Sequence, residues 1–243
     1  MNKDQLLQYL LYMNIGTPAN DYANERIFAM KSGSQLPFCN RVYGNNLTNI
    51  GDLIAARMFY QATPFRWFVD QNDVVLKKQL ESFGLQYKIS YPAMILSLNE
   101  MQQVSYGPDI QIRKIDNADY DKWVMLVCKA YSIPAVNQFK LFIEYLLKRA
   151  QPNNIHLYIG YYQDVPAATS MVIDHASIAG LHWVGVLPEF RQKGLGFAVS
   201  HHALHDAHAR GIAQAILLAS EMGESIYKKI GFSEYAKYDV YGY

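Results

Sequence analysis

An α/β fold is predicted for this chain of 243 residues, and three patterns in the sequence support the prediction. Apolar runs of strand length alternate along the chain with stretches whose apolar residues recur at helical spacing. Short groups of glycine, proline and polar residues separate these stretches, as expected of turns. Hydrophobic residues make up 51% of the chain, which is sufficient for packed cores.

The part of the chain after about residue 110 is predicted to alternate strands with helices. Its strands are expected at 109–115, 155–162, 167–174, 178–187, 214–219 and 233–241. Its helices are expected at 116–130, 134–148, 195–210 and 224–229. A hairpin turn is expected at 163–166, and Gly211 is expected just past the end of the third of these helices.

The first hundred residues give a less regular pattern. Helices are expected at 3–13, 19–31, 52–61 and 73–83, strands at 65–69 and 94–98, and an irregular run at 36–49. The sequence Tyr106-Gly107-Pro108 indicates a break. We therefore predict an N-terminal domain at 1–107 and a second domain at 108–243.

Two glycines, Gly194 and Gly196, lie between the expected strand at 178–187 and the following helix. The first N–H groups of a helix have no internal partner, and the helix dipole favours an anion there. Glycines would let a phosphate approach the main chain closely. No G-x-x-x-x-G-K-[ST] run is present, and no G-x-G-x-x-G followed by an acidic residue on the next strand. The alternative is a turn that only connects a strand to a helix.

The run Arg191-Gln192-Lys193-Gly194-Leu195-Gly196 resembles the coenzyme A signature of the GCN5-related N-acetyltransferase (GNAT) family, Arg/Gln-x-x-Gly-x-Gly/Ala. A second match follows at Leu217–Phe232, which ends in the family's Tyr-x-x-x-Gly-Phe. The resemblance implies a GNAT fold, with a central mixed, mostly antiparallel sheet flanked by helices. The segments 64–85 and 94–98 look like the degenerate N-terminal half of tandem acetyltransferases, which implies an additional N-terminal α/β domain with a structural role.

The same resemblance implies a site for acetyl-CoA, with no metal. Main-chain N–H groups at 192–197 would bind the diphosphate, with positive charge from Arg191 or Lys193. The strand at 182–187 would offer main-chain groups to the pantetheine amides. The residues expected to bind the cofactor are Trp183, Val184, Gly185, Val186, Arg191, Gln192, Lys193, Gly194, Leu195, Gly196, Phe197 and Ser220.

Tyr227 is expected to be the general acid, because the family commonly has a tyrosine at this position. A phenol with a pKa of about 10 is protonated at neutral pH and can donate a proton to a thiolate. The alternative is a tyrosine that only packs its helix on the sheet. Family members often carry a glutamate where this chain has Gly180, and His182 is the hypothesised base. A hydrogen-bonded core histidine and a water chain are the alternatives, and weaker candidates are Glu221, Asp174 and His175.

The helix expected at 195–210 carries His201 and His205 at i and i+4, a spacing that can chelate zinc. No carboxylate or cysteine completes such a site in the sequence. We interpret the pair as part of a solvated helix face.

The function predicted from these residues is transfer of an acetyl group from coenzyme A directly to a primary amine of a small molecule or a peptide. A direct transfer is expected because no cysteine lies near the motifs. Residues 131–139 and the N-terminal half would form a lid over the acceptor. The alternative is a catalytically idle acyl-CoA-binding regulatory module.

Composition limits the other function classes. The formal net charge is only +1, so the chain lacks the excess of positive charge that is expected of a protein that binds nucleic acid or an anionic membrane. The N-terminus is interpreted as an amphipathic helix, too short and too polar for a signal peptide or a membrane span. The two cysteines, Cys39 and Cys128, lack C-x-x-C spacing, so a cytoplasmic protein with reduced thiols is expected. A homodimer is left open.

Overall fold

The computed structural model describes residues 21–44, 48–149 and 154–243, which form two compact units. Unit 1 contains the described residues up to Ala93 together with Asn137–Arg149 and Tyr235–Tyr243. Unit 2 contains Met94–Val136 and the described residues up to Glu234. The helix predicted at 3–13 lies outside the described residues. This division into units does not test the predicted domains at 1–107 and 108–243, which stay a prediction.

The secondary structure of the described residues alternates between helices and strands. The helices are α1 (Ile50–Tyr60), α2 (Val74–Ser82), α3 (Tyr120–Ala130), α4 (Val136–Arg149), α5 (Leu195–Ala209) and α6 (Glu221–Ile230). The strands are β1 (Asp21–Ala23), β2 (Ile27–Met30), β3 (Arg41–Gly44), β4 (Arg66–Asp70), β5 (Gln86–Ser97), β6 (Ile110–Lys114), β7 (Ile155–Tyr162), β8 (Val165–His175), β9 (Ile178–Val186), β10 (Gln214–Leu218) and β11 (Ser233–Gly242).

In unit 1 the strand order is β1-β2-β3-β4-β11, and the first part of β5 follows β11. Strands β3 and β4 are parallel, whereas β4 and β11 are antiparallel. Helices α1 and α2 contribute Leu53 and Leu76 to a core around Trp67. Asn49 and Asp52 form a capping box that fixes the start of α1.

In unit 2 the strand order is β10-β9-β8-β7-β6. The pairs from β6 to β9 are antiparallel and the pair β9–β10 is parallel, so the sheet is mixed and mostly antiparallel. The β9–β10 pairing ends at Gly180 and Ile216, and the two strands separate beyond that point. The predicted fold class is confirmed.

Helices α3 and α5 lie on opposite faces of the unit 2 sheet. Gly185 of β9 packs against Ala130 at the end of α3, whereas its neighbours Val184 and Val186 join the core cluster that contains α5. Alternation of side chains along the strand accounts for this difference. The end of β9 therefore lies between two helices.

Most predicted elements are found within a few residues of their expected bounds. Gln163 and Asp164 have φ angles of 47° and 63°, as expected of a tight hairpin turn, and Gly211 follows α5 with a φ of 89°. The helix predicted at 19–31 is wrong, because this segment forms the hairpin β1–β2. The Asn24 side chain accepts hydrogen bonds from the N–H groups of Arg26 and Ile27 and so forms the turn.

Two further differences concern strands. The run predicted to be irregular at 36–49 contains β3. The strand predicted at 94–98 begins earlier, at Gln86. The first four residues of β5 are exposed, so they lie outside the buried apolar run from which the strand was predicted.

Candidate coenzyme A site

The turn between β9 and α5 has an unusual backbone. Pro188–Phe190 form a short 3₁₀ helix, Gln192 and Gly194 have φ angles of 62° and 81°, and α5 begins at Leu195. Gly194 is the N-cap residue of α5. Glycine adopts the left-handed conformation without steric cost, whereas a residue with a Cβ atom does not. The backbone conformation of the N-cap therefore explains why glycine is present at position 194.

The main-chain N–H groups of the turn have no acceptor among the described residues. No described residue accepts a hydrogen bond from the main-chain N–H groups from Gln192 to Phe197, and the first helical bond runs from Ala198 N to Gly194 O at 3.0 Å. The dipole of the 15-residue helix α5 adds positive potential at the same place. These donors fit a diphosphate, whose oxygens would each accept from one or two of them.

A cavity of about 370 Å³ lies beside the turn. Two of its lining residues are in contact, since Lys193 Nζ lies over the Tyr162 ring, 4.9 Å from the ring centroid. The lining residues are Val104, Ser105, Tyr106, Gly107, Asp109, Ile110, Tyr162, Lys193, Gly194, Phe197 and Ala198. The turn therefore opens onto a space lined largely by apolar and aromatic groups, with one basic residue, Lys193, and one acidic residue, Asp109.

The end of β9 presents main-chain groups on the side from which β10 has separated. Leu187 N donates to Ala167 O at 2.9 Å, so the peptide groups of Gly185 and Leu187 face β8. Those of Val184 and Val186 consequently face the open side. A register shift opposite Ser170 and a φ of 52° at Trp183 mark a β-bulge just before this segment.

Side chains of the chain itself occupy both open-side carbonyls. The Tyr131 hydroxyl donates to Val184 O at 2.8 Å, and Arg191 Nε donates to Val186 O at 3.3 Å. The Tyr131 ring also makes an edge contact with Trp183, at 5.5 Å between centroids. Arg191 was expected to add charge at the rim of the site, and in this structure its side chain lies back along β9.

Tyr227 lies in the core cluster next to α5, and its residue exposure is 8%. No described residue forms a hydrogen bond with its hydroxyl, and burial raises the pKa of the phenol well above its usual range. The ring packs at its edge against Phe232, and a Cβ atom at Gly223 would lie only 2.8 Å from Tyr227 Cε2. Tyr227 is thus a buried, protonated donor whose proton is uncommitted.

Ser220 has a local structural role. Its hydroxyl accepts a hydrogen bond of 3.2 Å from Gly223 N and caps α6. The hydroxyl oxygen of Ser220 already accepts a hydrogen bond from the helix. Ser220 is also exposed, so a cofactor could contact it only on its solvent-accessible side.

His182 and Tyr227 lie on different faces of the sheet. Leu181 belongs to the same core cluster as Tyr227, so strand alternation turns His182 toward the face that α3 covers. His182 is half-buried. The base role therefore stays a hypothesis, with water at the cleft as the alternative.

The weaker base candidates have other surroundings. Asp174 forms ion pairs with His156 at 3.0 Å and Arg210 at 2.7 Å. Burial opposes ionisation of Asp174, but these two partners outweigh it and hold the pKa of the carboxyl below its usual range. Burial lowers the pKa of His175, and Glu221 is exposed at the start of α6.

The interpretation of His201 as part of a solvated face is wrong. His201 is 3% exposed, its Nε2 donates to Gln102 O at 2.8 Å, and its Nδ1 accepts from the Tyr106 hydroxyl at 2.9 Å. Burial raises the pKa of Tyr106 to about 12, consistent with its role as donor. His205 is exposed. Among the described residues no group of three or more potential ligands could hold a metal ion.

The contact between Tyr131 and Val184 was not predicted from the sequence. Tyr131 lies in the segment 131–139, predicted only as a lid, and its bond to Val184 depends on the packing of α3 against β9. No motif or spacing signals this contact. In the part of the chain that the structure describes, no helix is long and apolar enough to cross a membrane.

Comparisons with known proteins identify a similar domain and similar folds. Residues 121–229 match the family model of an acetyltransferase (GNAT) domain. No curated protein matched the chain. A GCN5-related N-acetyltransferase from Kribbella flavida is 16% identical, with a TM-score of 0.74 over 98% of this chain and 93% of that one. A second, from Sphaerobacter thermophilus, is 14% identical, with a TM-score of 0.68 over 90% of this chain and 76% of that one.

A tandem GNAT protein from the clavulanic acid biosynthesis pathway has a similar fold over the full length of the chain. It is 10% identical, with a TM-score of 0.60 over 100% of this chain and 95% of that one. At these identities the solved structures show the fold alone. The segment from residue 121 to residue 229 is similar to a GNAT acetyltransferase domain, as its match to the family model shows.

Proposed function

We propose that the protein transfers an acetyl group from acetyl-CoA to a primary amine of a small molecule or a peptide. The observation that carries the proposal is the row of uncommitted N–H groups from Gln192 to Phe197, next to the point where β9 and β10 separate. The first feature suits a diphosphate and the second suits an extended amide-bearing arm. Acetyl-CoA combines both, and when bound it supplies an activated thioester.

The residues of the chain would hold the donor in two places. The turn and the start of α5 would bind the diphosphate through main-chain donors, with the positive charge of Lys193 nearby. The open-side peptide groups of Val184 and Val186 would pair with the pantetheine amides as an added strand would. Tyr131 and Arg191 would have to release the two carbonyls that they occupy in this structure.

In the reaction proposed, the amine nitrogen bonds to the thioester carbonyl carbon and the carbon–sulfur bond breaks. The leaving sulfur takes the proton of the Tyr227 hydroxyl, and the amine loses one proton to His182 or to water. Burial raises the pKa of Tyr227, so its hydroxyl is protonated at neutral pH. A pH profile of His182→Gln distinguishes the two routes for the amine proton.

The test is thiol release from acetyl-CoA with a panel of amines, in the wild type and in Tyr227→Phe. We expect the variant to lose about 10²–10⁴-fold in kcat, the usual contribution of general acid catalysis, with the Kd for coenzyme A within twofold of the wild type. Tyr235→Phe is the matched control, because its buried hydroxyl also lacks a described partner. Equal rates for the two variants would contradict the acid role.

An idle coenzyme A-binding module is the second candidate. Gly180 stands where many family members have a glutamate, and side chains of the chain itself occupy the open-side carbonyls of β9. This candidate predicts coenzyme A binding without thiol release for any amine in the panel.

The remaining assignments stay part of the proposal. A cytoplasmic location is supported by Cys39 and Cys128, which are buried and not joined in a disulfide. The amine acceptor is the partner that we propose, and size-exclusion chromatography would test a homodimer.

A further inference from the structure

Two side chains of unit 2 bind the main chain on the open side of β9. The Tyr131 hydroxyl donates to Val184 O at 2.8 Å, and Arg191 Nε donates to Val186 O at 3.3 Å. Arg191 Nη2 also donates at 3.3 Å to the carbonyl of Ala130, the last residue of α3. We refer to Tyr131 and Arg191 as the clasp, because together they tie the end of α3 to the end of β9.

The carbonyls that the clasp occupies are those that a neighbouring strand would use. Val184 and Val186 are two residues apart, which is the interval at which peptide groups face the same edge of a strand. An extended chain laid along this edge would donate its amide N–H groups to both oxygens. The clasp therefore satisfies, within the chain itself, the acceptors that an extended amide-bearing ligand requires.

Glycine at position 185 lets the clasp lie close to the strand. A Cβ atom at Gly185 would lie 2.8 Å from Ala130 Cβ and 3.1 Å from Tyr131 Cε2. A side chain at this position would therefore displace the end of α3 and, with it, the tyrosine ring. The same ring packs at its edge on Trp183, with 5.5 Å between the centroids. The close fit of Tyr131 thus depends on the residue that β9 presents to it.

The shape of β9 at this point does not depend on the clasp. The buried Thr169 hydroxyl of β8 donates to Trp183 O at 3.0 Å and holds the β-bulge, in which Trp183 has a φ of 52°. Leu187 N donates to Ala167 O at 2.9 Å and holds the far end of the segment. Both bonds join β9 to β8. They should remain when the clasp opens, so the two carbonyls should stay in place.

The clasp is also easily opened. Tyr131 is 44% exposed and Arg191 is exposed as well, so water reaches the bonds that they make to β9. A hydrogen bond in such a position changes an equilibrium constant about two- to tenfold. The clasp therefore competes with a ligand for the edge of β9 without preventing the ligand from binding.

We propose that the clasp is an autoinhibitory contact, which closes the groove for the pantetheine arm and which that arm opens by taking over the carbonyls of Val184 and Val186. This inference rests on the proposed function. Opening releases Tyr131 from β9, and Tyr131 is the first residue of the segment 131–139 predicted as the acceptor lid. Binding of the donor's arm is thereby linked to the state of the residue at which this segment begins.

The experiment compares coenzyme A with ADP, which carries a diphosphate but no pantetheine arm. The clasp competes with the arm alone, so its removal should affect only the first ligand. Calorimetric titration of the full chain should show that Tyr131→Phe binds coenzyme A about two- to fivefold tighter than the wild type does, with the Kd for ADP unchanged. Arg191→Lys keeps the charge but cannot reach two carbonyls as the guanidinium does, so it should act in the same direction.

Tyr87→Phe is the matched control. It removes the hydroxyl of another exposed tyrosine, which bonds to Ser90 at 3.0 Å in unit 1, and it should leave both affinities unchanged. A direct readout of the clasp comes from NMR of the protein labelled with ¹³C at tyrosine Cζ. The Tyr131 signal, assigned by its loss in Tyr131→Phe, should move on addition of coenzyme A and stay in place with ADP.

The results separate the clasp from the proposed function. If coenzyme A moves the Tyr131 signal and binds more tightly to Tyr131→Phe, but no amine is acetylated, the transfer reaction fails and the clasp stands. If an amine is acetylated while the Tyr131 signal stays in place at saturating coenzyme A, the clasp fails and the reaction stands. An equal gain in affinity for coenzyme A and ADP would also overturn the inference, since the substitution would then act on the turn.

Discussion

Replacement of Gly194 by alanine separates the backbone role of the turn from its proposed role in binding. Gly194 has a φ of 81°, and a Cβ atom there would have nothing closer than Ile110 Cδ1 at 3.9 Å. The side chain itself therefore fits, and only the left-handed backbone is penalised. That penalty is about 1–2 kcal/mol for a residue with a Cβ, partly offset by the lower entropy of the unfolded chain.

Gly211 provides a matched control at the other end of the same helix. It has a φ of 89°, and its Cβ would meet nothing within 4 Å. Gly194→Ala and Gly211→Ala should therefore lose the same stability, about 1 kcal/mol, which corresponds to about 2–4 °C in Tm for a chain of this size. Thermal unfolding followed by circular dichroism measures this common loss.

Coenzyme A affinity should separate the two variants. If Gly194→Ala relieves its strain by rotating the turn, the N–H groups at 192–197 no longer point to one place. We expect calorimetric Kd for coenzyme A to rise at least about tenfold, or about 1.4 kcal/mol, in Gly194→Ala and less than twofold in Gly211→Ala. Equal affinities in two equally destabilised variants would refute the assignment of the diphosphate to this turn.

Three further substitutions test the contacts around the site. Tyr131→Phe frees the Val184 carbonyl, so titration calorimetry should show coenzyme A binding about two- to fivefold tighter, and unchanged affinity would show that the bond does not compete. Asp174→Asn should make the free energy of unfolding less dependent on pH in the acid range. The lowered pKa of Asp174 contributes stability that is present above about pH 3.9 and is lost as the pH falls through the folded-state pKa. The free energy of urea unfolding should therefore change less between pH 6 and pH 3 in the variant than in the wild type. Tyr106→Phe removes the hydroxyl bound to His201 and should lower the free energy of unfolding by about 1 kcal/mol in urea titrations; no change would mean that the bond contributes nothing.

The sequence allowed the fold of the second half to be predicted closely, because burial there follows regular patterns. Strand β9, the turn and α5 were expected at 178–187 and 195–210 and are found at Ile178–Val186 and Leu195–Ala209. Apolar strands, a glycine that must be left-handed and a long helical pattern all agree in this region. Local conformational preferences and tertiary packing favour the same secondary structure in this region, so the prediction succeeds.

The errors arise where tertiary contacts decide the structure. The segment at 19–31 has apolar residues at spacings compatible with a helix, but Asn24 and Arg26 bind Asp52 of α1 and the segment pairs as a hairpin. The buried state of His201 likewise depends on Gln102, far away in sequence. Neither partner can be read from local spacing.

The same reasoning explains what was found only in the structure. Arg41 and Arg66 are 25 residues apart, and only the register of β3 with β4 makes them neighbours. Tyr131 and Val184 are 53 residues apart and meet through the packing of α3 on β9. A motif indicates the turn expected to bind phosphate, but contacts between residues far apart in sequence depend on strand register and helix packing.

The most direct test of the account is an NMR titration of the ¹⁵N-labelled protein with coenzyme A. We predict that the amide signals of Gln192–Phe197 move most, since their N–H groups gain acceptors, while the amide of Gly211 at the far end of the same helix stays in place. Signals of the turn that remain unmoved at saturating coenzyme A would contradict the account.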